Sequence, residues 1–321
     1  MTCSRNTVSL ANFFIDLLKT LIYAIRLQKH LISSYNATHM QTNVPPIKCQ
    51  GIKTKLVPFI IENINIDAID TWIEPFMGSG VVALNVLPKR AILADKNQSI
   101  IDFYMGIQKH LITPEKVKSF LEFHGEMLRR YGEQYYKSIR EEYNNDRDPL
   151  KFLFLNRSDF NGMIRFNRKG EFNVPFCKKP ERFSKAYITK ICNQIKKAST
   201  IIDAREWSFY CQPWQDTIGM AHKNDFIYLD PPYIGRDTSY VGEWPEQEAE
   251  LLAKYANSTE ANVGLSMWKE NKYRTNPHLM KCWGNYRMYE FSHFYHLGAK
   301  ESNRHAMIEV LAIKRPFDKV A

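Results

Sequence analysis

Thr71-Trp72-Ile73-Glu74-Pro75-Phe76-Met77-Gly78-Ser79-Gly80, residues 71–80, is the stretch that decides the fold. The apolar run Thr71–Ile73 reads as a buried strand. It ends in an acid and passes through two glycines into a helical pattern, so a helix is expected to begin near Gly80. Glycines at a strand-to-helix turn let backbone approach a ligand closely, and a helix N-terminus favours polar or anionic groups. A G-x-G alone is often no more than a tight turn. The context sharpens it, because a second buried strand, Ala91–Ala94, follows and ends in Asp95. An acid at the end of the second strand is where doubly wound folds hold ribose hydroxyls. The stretch therefore predicts a nucleoside pocket on an α/β sheet.

Working outward, Phe226–Leu229, Asn262–Met267 and Met307–Ile313 read as further buried strands, and residues 246–257 as a helix. Strands alternating with helices predict a mostly parallel sheet with helices on both faces. Residues 115–200 break the pattern. They are helical and polar, then aromatic, basic and rich in Gly and Asn, and they read as an inserted, mainly helical second domain. Residues 41–50, with their Pro-Pro pair, read as a linker.

The chain has 321 residues, a formal charge of +10 and a pI of about 9.2. A basic balance favours a polyanionic partner. The charge is concentrated: residues 151–200 hold twelve Lys/Arg against three Asp/Glu. A basic run is also what a solvated face looks like, so composition alone does not decide. The six scattered cysteines form no C-x-x-C pair or His/Cys cluster, which gives no metal site and fits a reducing cytoplasm. Residues 9–27 are apolar, but Asp16, Lys19 and Arg26 interrupt them. The run is too short and too charged for a membrane span, and no signal-peptide pattern surrounds it. Met40 is an alternative start that would leave 1–39 outside the core.

Two further segments carry chemistry. Asp230-Pro231-Pro232-Tyr233 follows the strand Phe226–Leu229. Two prolines fix the backbone and remove competing N–H donors. The Asp230 carboxylate and the Pro231 carbonyl can then both act as acceptors for one primary amine, and Tyr233 offers a flat face for a base. With the glycine loop upstream, this points to an amino-methyltransferase, whereas a bare Pro-Pro turn would be only a rigid corner. The other segment runs from Leu155 through Asn156, Arg157, Phe160, Asn161, Gly162, Arg165 and Asn167 to Phe176. Arg and Asn make bidentate contacts to guanine and adenine edges, and aromatics between them can stack on bases or wedge between them. A solvated hairpin with structural Asn/Gly turns is the plain alternative.

In wording and order these segments resemble the Dam-type (alpha group) DNA adenine-N6 methyltransferase family. The resemblance covers about Pro46 to Arg315 and is most specific at 170–176 (GEFNVPF), 230–233 (DPPY) and 74–80 (EPFMGSG). It implies a Rossmann-like S-adenosylmethionine-dependent methyltransferase sheet formed by 46–114 and 201–321. The target-recognition domain is then inserted at 115–200, and 1–45 is an extension and linker. Asp230, Pro231 and Tyr233 match the catalytic motif. Lys53, Glu74, Phe76, Gly78, Gly80, Asp95, Trp214 and Asp230 match the S-adenosylmethionine site, with Asp95 the ribose acid and Trp214 a stacking wall. Cys49 and Ile52 stand where the family has Trp and a second Gly. Lys48, Phe160, Asn161, Arg165, Asn167 and Lys178 are the expected DNA contacts, with Arg165 the guanine reader. The resemblance implies methylation of adenine N6 in double-stranded DNA after base flipping, by a cytoplasmic monomer. A partner restriction endonuclease is expected, since the insert departs from the housekeeping pattern on both sides of the shared segments; an orphan regulatory methylase is the alternative. An RNA or cytosine-amine methyltransferase, and a non-catalytic DNA-binding protein, are the competing readings. Intact Asp230 and Tyr233 oppose the last.

Overall fold

A computed structural model describes residues 42–234, 244–271, 273–294 and 306–314. Most of the N-terminal extension, including the apolar run at 9–27 and Met40, lies outside them. The helices are α1 (Val57–Asn63), α2 (Ala83–Val86), α3 (Gln98–Gln108), α4 (Pro114–Asp146), α5 (Pro149–Ser158), α6 (Lys185–Asp203), α7 (Trp214–Gly219), α8 (Glu246–Ser258) and α9 (Pro277–Trp283). The strands are β1 (Trp72–Glu74), β2 (Arg90–Asp95), β3 (Glu206–Cys211), β4 (Phe226–Leu229), β5 (Asn262–Asn271), β6 (Arg274–Thr275), β7 (Arg287–Phe294) and β8 (Ala306–Ile313).

The strands form one sheet in the order β3-β2-β1-β4-β5-β8-β7, with β6 paired to β5. The first five are parallel, and β8 enters antiparallel between β5 and β7. Strand order reverses between β1 and β4, which places a ligand crevice outside their carboxyl ends. Glu74 ends β1 and Asp230 follows β4, so both acids stand at that crevice.

Alternation along the strands builds two cores. Trp72, Leu93, Phe226, Tyr228 and Leu311 face one way and pack with α1, α3 and the helices of 114–203. Ile73, Ile227, Leu229, Val263 and Val310 face the other way, toward α7, α8 and α9. On the first face Trp72 stacks on Phe226 at 5.2 Å and on Tyr228 at 5.7 Å. A sheet covered on both faces reads as nearly continuous apolar runs, which is why Phe226–Leu229 was recognisable. The helix expected near Gly80 starts at Ala83 instead. Gly80 has φ +72°, a left-handed conformation incompatible with a helical turn.

Region 114–203 holds α4, α5 and α6, joined by a loop from Asp159 to Ser184. Its buried residues, among them Leu121, Phe152, Phe154 and Ile195, belong to the same cluster as the sheet's first face. Helix α4 is kinked at Gly132, whose φ of 55° and ψ of −131° are non-helical. Among the described residues no helix is long and apolar enough to cross a membrane.

The loop is framed by two bridges, Asp159 with Phe176 and Phe166 with Phe172. Asp159 is buried, and among the described residues neither carboxylate oxygen has a hydrogen-bond partner at ordinary geometry. Burial pushes its carboxyl up to about 8, and the amides of Gly162 and Met163 with the Lys48 charge offset only part of that. An ordinary Asp ionises near 3.8. Between the two values the unfolded chain has released a proton that the folded chain keeps, so stability falls as pH rises. Asp159→Asn is therefore expected to flatten the decline in urea midpoint between pH 5 and pH 8. Parallel declines in the two proteins would contradict this assignment.

Candidate active site

Two chain segments meet at the carboxyl ends of β1, β2 and β4, and a third rests on the Lys48 stem of the stretch that leads to Lys53. The first is the glycine loop. Gly78 and Gly80 have φ of +52° and +72°, so glycine suits both turns. A Cβ on Gly80 would lie 3.0 Å from the Tyr104 hydroxyl, which donates to the Ser79 carbonyl. Asp95, at the end of β2, holds this loop: one carboxylate oxygen accepts the Gly78 amide at 2.9 Å and the other the Asn97 amide at 2.8 Å. Phe76 packs edge-on against Trp244 at 5.7 Å and flanks the same loop. Glu74 is buried and accepts the Trp72 indole N–H at 2.7 Å. Burial pushes its carboxyl up to about 8.

The second segment is Asp230-Pro231-Pro232-Tyr233. Asp230 Oδ1 lies 2.8 Å from Lys53 Nζ, a lysine that is 4% exposed. Lys53 also donates to the Tyr233 hydroxyl at 3.3 Å and to the Gly51 carbonyl at 3.2 Å. Burial opposes a charge on Lys53, but the Asp230 carboxylate prevails and holds the ammonium well above the usual lysine range. Tyr233 is pushed up to about 12 by burial, so it remains a neutral phenol. From the opposite side Ser266 on β5 donates to Asp230 Oδ1 at 3.2 Å while accepting from Tyr228 at 2.8 Å. The Asp230 carboxylate is thus fixed by a lysine and a hydroxyl relay before any substrate arrives.

The third segment is the loop after α5. Phe160 is 51% exposed at its tip, and Asn161 beside it has φ +63°. Arg165 is oriented by Asn173, with Nε on its side-chain oxygen at 2.8 Å and Nη2 on its carbonyl at 2.9 Å. A guanidinium has five N–H donors, so two such bonds aim the fork and leave donors over. Lys178 is exposed, and Lys48 lies half-buried with its stem against Gly162.

Two expected roles change. Asn167 turns its amide into the 167–171 turn: Oδ1 accepts from the Lys169 and Glu171 amides and Nδ2 donates one bond to the Glu171 carboxylate at 2.7 Å. It is a turn residue. Trp214 is 6% exposed, donates its indole N–H to Glu248 at 2.9 Å and packs edge-on to Tyr255 at 5.2 Å. The start of α7 turns its ring into the second core, so it is no open stacking wall; Tyr210 on β3, 37% exposed, is the accessible ring of that segment.

Sequence reasoning missed Ser266, Tyr228 and Glu309. Glu309 on β8 is 1% exposed, and its charge acts on Lys53, Asp230 and Tyr233. Their signal was an acid and a hydroxyl inside otherwise apolar strands, at 307–313 and 262–267.

A sequence model of the D12 class N6 adenine-specific DNA methyltransferases matches residues 50–295. The DNA adenine methylase of Salmonella typhi is 36% identical over 167 residues, covering 50% of this chain and 55% of that protein. That of Escherichia coli K12 gives the same identity and coverage. The DNA adenine methylase of Vibrio cholerae serotype O1 (El Tor Inaba) is 31% identical over 213 residues, covering 62% of this chain and 71% of the relative. The chain thus spans about half the length of the first of these relatives. The matched span takes in the glycine loop, the loop after α5 and the Asp230 motif, and the chain belongs to the D12 class N6 adenine-specific DNA methyltransferase family.

Proposed function

We propose that this protein transfers a methyl group from S-adenosylmethionine to N6 of adenine in duplex DNA. The observation that carries the reading is Asp230. Its carboxylate stands at the strand-order switch, held by Lys53 at 2.8 Å and Ser266 at 3.2 Å, next to the glycine loop that Asp95 braces. When bound, S-adenosylmethionine supplies a methyl group on a positively charged sulfur. The Gly78–Gly80 turn and the Asp95 carboxylate that braces it suit its nucleoside.

Adenine's amino group is sequestered in a paired duplex, so the base must be extruded at a cost of a few kcal/mol. Phosphate contacts from the basic 151–200 region offset that cost. Phe160 at the loop tip is the wedge, Asn161 and Arg165 read base edges, and Lys48 and Lys178 add positive charge. In the pocket Tyr233 stacks on the extruded ring. The Asp230 carboxylate and the Pro231 carbonyl accept the two amino hydrogens, which turns the nitrogen lone pair toward the methyl group and disperses charge as it develops. Pro232 has no N–H to compete for either acceptor. To free Asp230 Oδ1 for the amine, Lys53 must give up its bond there.

Radiolabel transfer from methyl-tritiated donor to duplex DNA tests the reading. Asp230→Asn keeps the side chain's shape and, unlike alanine, leaves an amide oxygen that can still accept from Lys53. It is expected to bind donor normally in equilibrium dialysis yet transfer methyl about 10²–10³-fold more slowly. Near-wild-type turnover would remove Asp230 from the mechanism. Arg165→Ala is expected to cost about 1–3 kcal/mol of discrimination at one base position. Equal weakening on every duplex, with a shallower salt dependence, would make Arg165 a phosphate contact instead.

A further inference from the structure

Residues Pro45–Lys53 belong to no helix or strand, yet Pro45, Pro46 and Ile47 are buried. Buried backbone polar groups need partners, and side chains at the end of α5 supply them. Asn156 is 0% exposed and grips Lys48 twice: its Oδ1 accepts the Lys48 amide at 2.7 Å and its Nδ2 donates to the Lys48 carbonyl at 3.0 Å. Arg157, 3% exposed, donates from Nε to the Pro46 carbonyl at 2.7 Å and from Nη2 to the Pro45 carbonyl at 3.3 Å. Its Nη2 also reaches Gln194 on α6 at 2.6 Å. Gly162 closes the contact from the loop side. A Cβ there would lie 2.4 Å from Lys48 Cδ, so the loop tip rests directly on the Lys48 stem.

Both ends of this segment are therefore engaged. At one end it is clamped by Asn156 and Arg157 in the last turn of α5, one residue short of the Asp159–Phe176 loop. At the other, five residues beyond Lys48, Lys53 places its ammonium on Asp230. The turn between them uses Gly51 at φ +74°, whose carbonyl accepts from the same ammonium. Beyond Lys53 the chain is anchored, since the Lys53 carbonyl accepts the amides of Leu56 and Val57 at the start of α1.

Resting on the methyltransferase reading above, we infer that Pro45–Lys53 is a strap through which the seating of the recognition loop on DNA controls the Lys53–Asp230 pair, with Asn156 and Arg157 as positioning residues. The two states are Lys53 bridging Asp230 Oδ1 and the Gly51 carbonyl, as in the structure, and Lys53 released from Oδ1 while it keeps the Gly51 carbonyl, which leaves Oδ1 to the target amine. The nearby Glu309 charge keeps the withdrawn ammonium stabilised. A cognate site that seats Phe160–Arg165 properly bears on Lys48 through Gly162 and favours withdrawal. A wrong site leaves Lys53 in place. Selectivity would then be expressed in the methyl-transfer rate as well as in DNA affinity, and two residues that touch neither base nor donor would help to set it. Coupling of this kind requires an element with two arrangements that both sites bias, and the Lys53 ammonium, with the Asp230 bond made in one and released in the other, is that element.

The test is a double-mutant cycle read in single-turnover methyl-transfer rates, on the preferred duplex and on one altered at the base pair that Arg165 reads. Asn156→Ala is expected to slow the preferred duplex about tenfold and the altered duplex little, a coupling within the usual range for linked sites. Duplex affinity should change less than threefold. In a Lys53→Met background Asn156→Ala should cause no further loss of discrimination. Arg157→Lys, which keeps the charge but not the fork, should compress discrimination in the same direction and serves if Asn156→Ala does not fold. Equal slowing on both duplexes, or additive losses in the cycle, would overturn the strap and leave the methyltransferase reading standing. A wild-type protein that methylates no duplex at all would overturn both.

Discussion

The site depends on one ion pair, Lys53 Nζ on Asp230 Oδ1 at 2.8 Å, formed at the point where the sheet's strand order reverses. An ionised carboxylate and an ammonium removed from water each carry a large desolvation cost, which their mutual attraction and added hydrogen bonds must offset. Here Ser266, Tyr233 and the Gly51 carbonyl supply those bonds. The pair keeps Asp230 aimed into the crevice and poised as an acceptor. Lys53 and Ser266 both bond Asp230 through Oδ1. A carboxylate held in this way is oriented before any ligand arrives.

Around this pair the fold brings together groups that are far apart in the chain. The glycine loop is drawn onto β2 by Asp95, so the loop and the acid at the end of β2 are one hydrogen-bonded unit. The aromatic ladder of Trp72, Phe226 and Tyr228 lies under the crevice on one face and ties β1 to β4, the two strands whose ends carry Glu74 and Asp230. The Trp72 indole bonds Glu74 and the Tyr228 hydroxyl bonds Ser266, so the same ladder orients polar groups at the rim. The recognition loop stands on α5, whose last turn is bolted to the strap that ends at Lys53.

Much of this was legible in the sequence where local chemistry left few choices. Phe226–Leu229 is apolar throughout because both faces of β4 are covered, and its bounds were read directly. The Pro-Pro pair and the paired glycines constrain backbone locally, so their meaning survives without tertiary information. Strand β7 escaped because Arg287–Phe294 mixes polar and apolar residues and so offers no continuous apolar run. The two-residue pattern around Asn167 and Glu171 suited either a base reader or a turn, and only the hydrogen bonds decide for the turn. Trp214 depends on the direction in which α7 leaves β3, which no local signal encodes. The meeting of Lys53, Ser266 and Glu309 with Asp230 is set by strand order and register across more than two hundred residues, and pattern reading of separate segments does not reach it. The grip of Asn156 on Lys48 is of the same kind.

The central claim is that an acid and a proline carbonyl beside a nucleoside cradle make adenine's exocyclic nitrogen accept a methyl group. The most direct measurement is to incubate the purified chain with deuterated-methyl S-adenosylmethionine and genomic DNA, digest to nucleosides and resolve them by mass spectrometry. Trideuterated N6-methyldeoxyadenosine is the predicted product. Label found only in N4-methyldeoxycytidine, or in no nucleoside while donor binding is intact, would contradict the account.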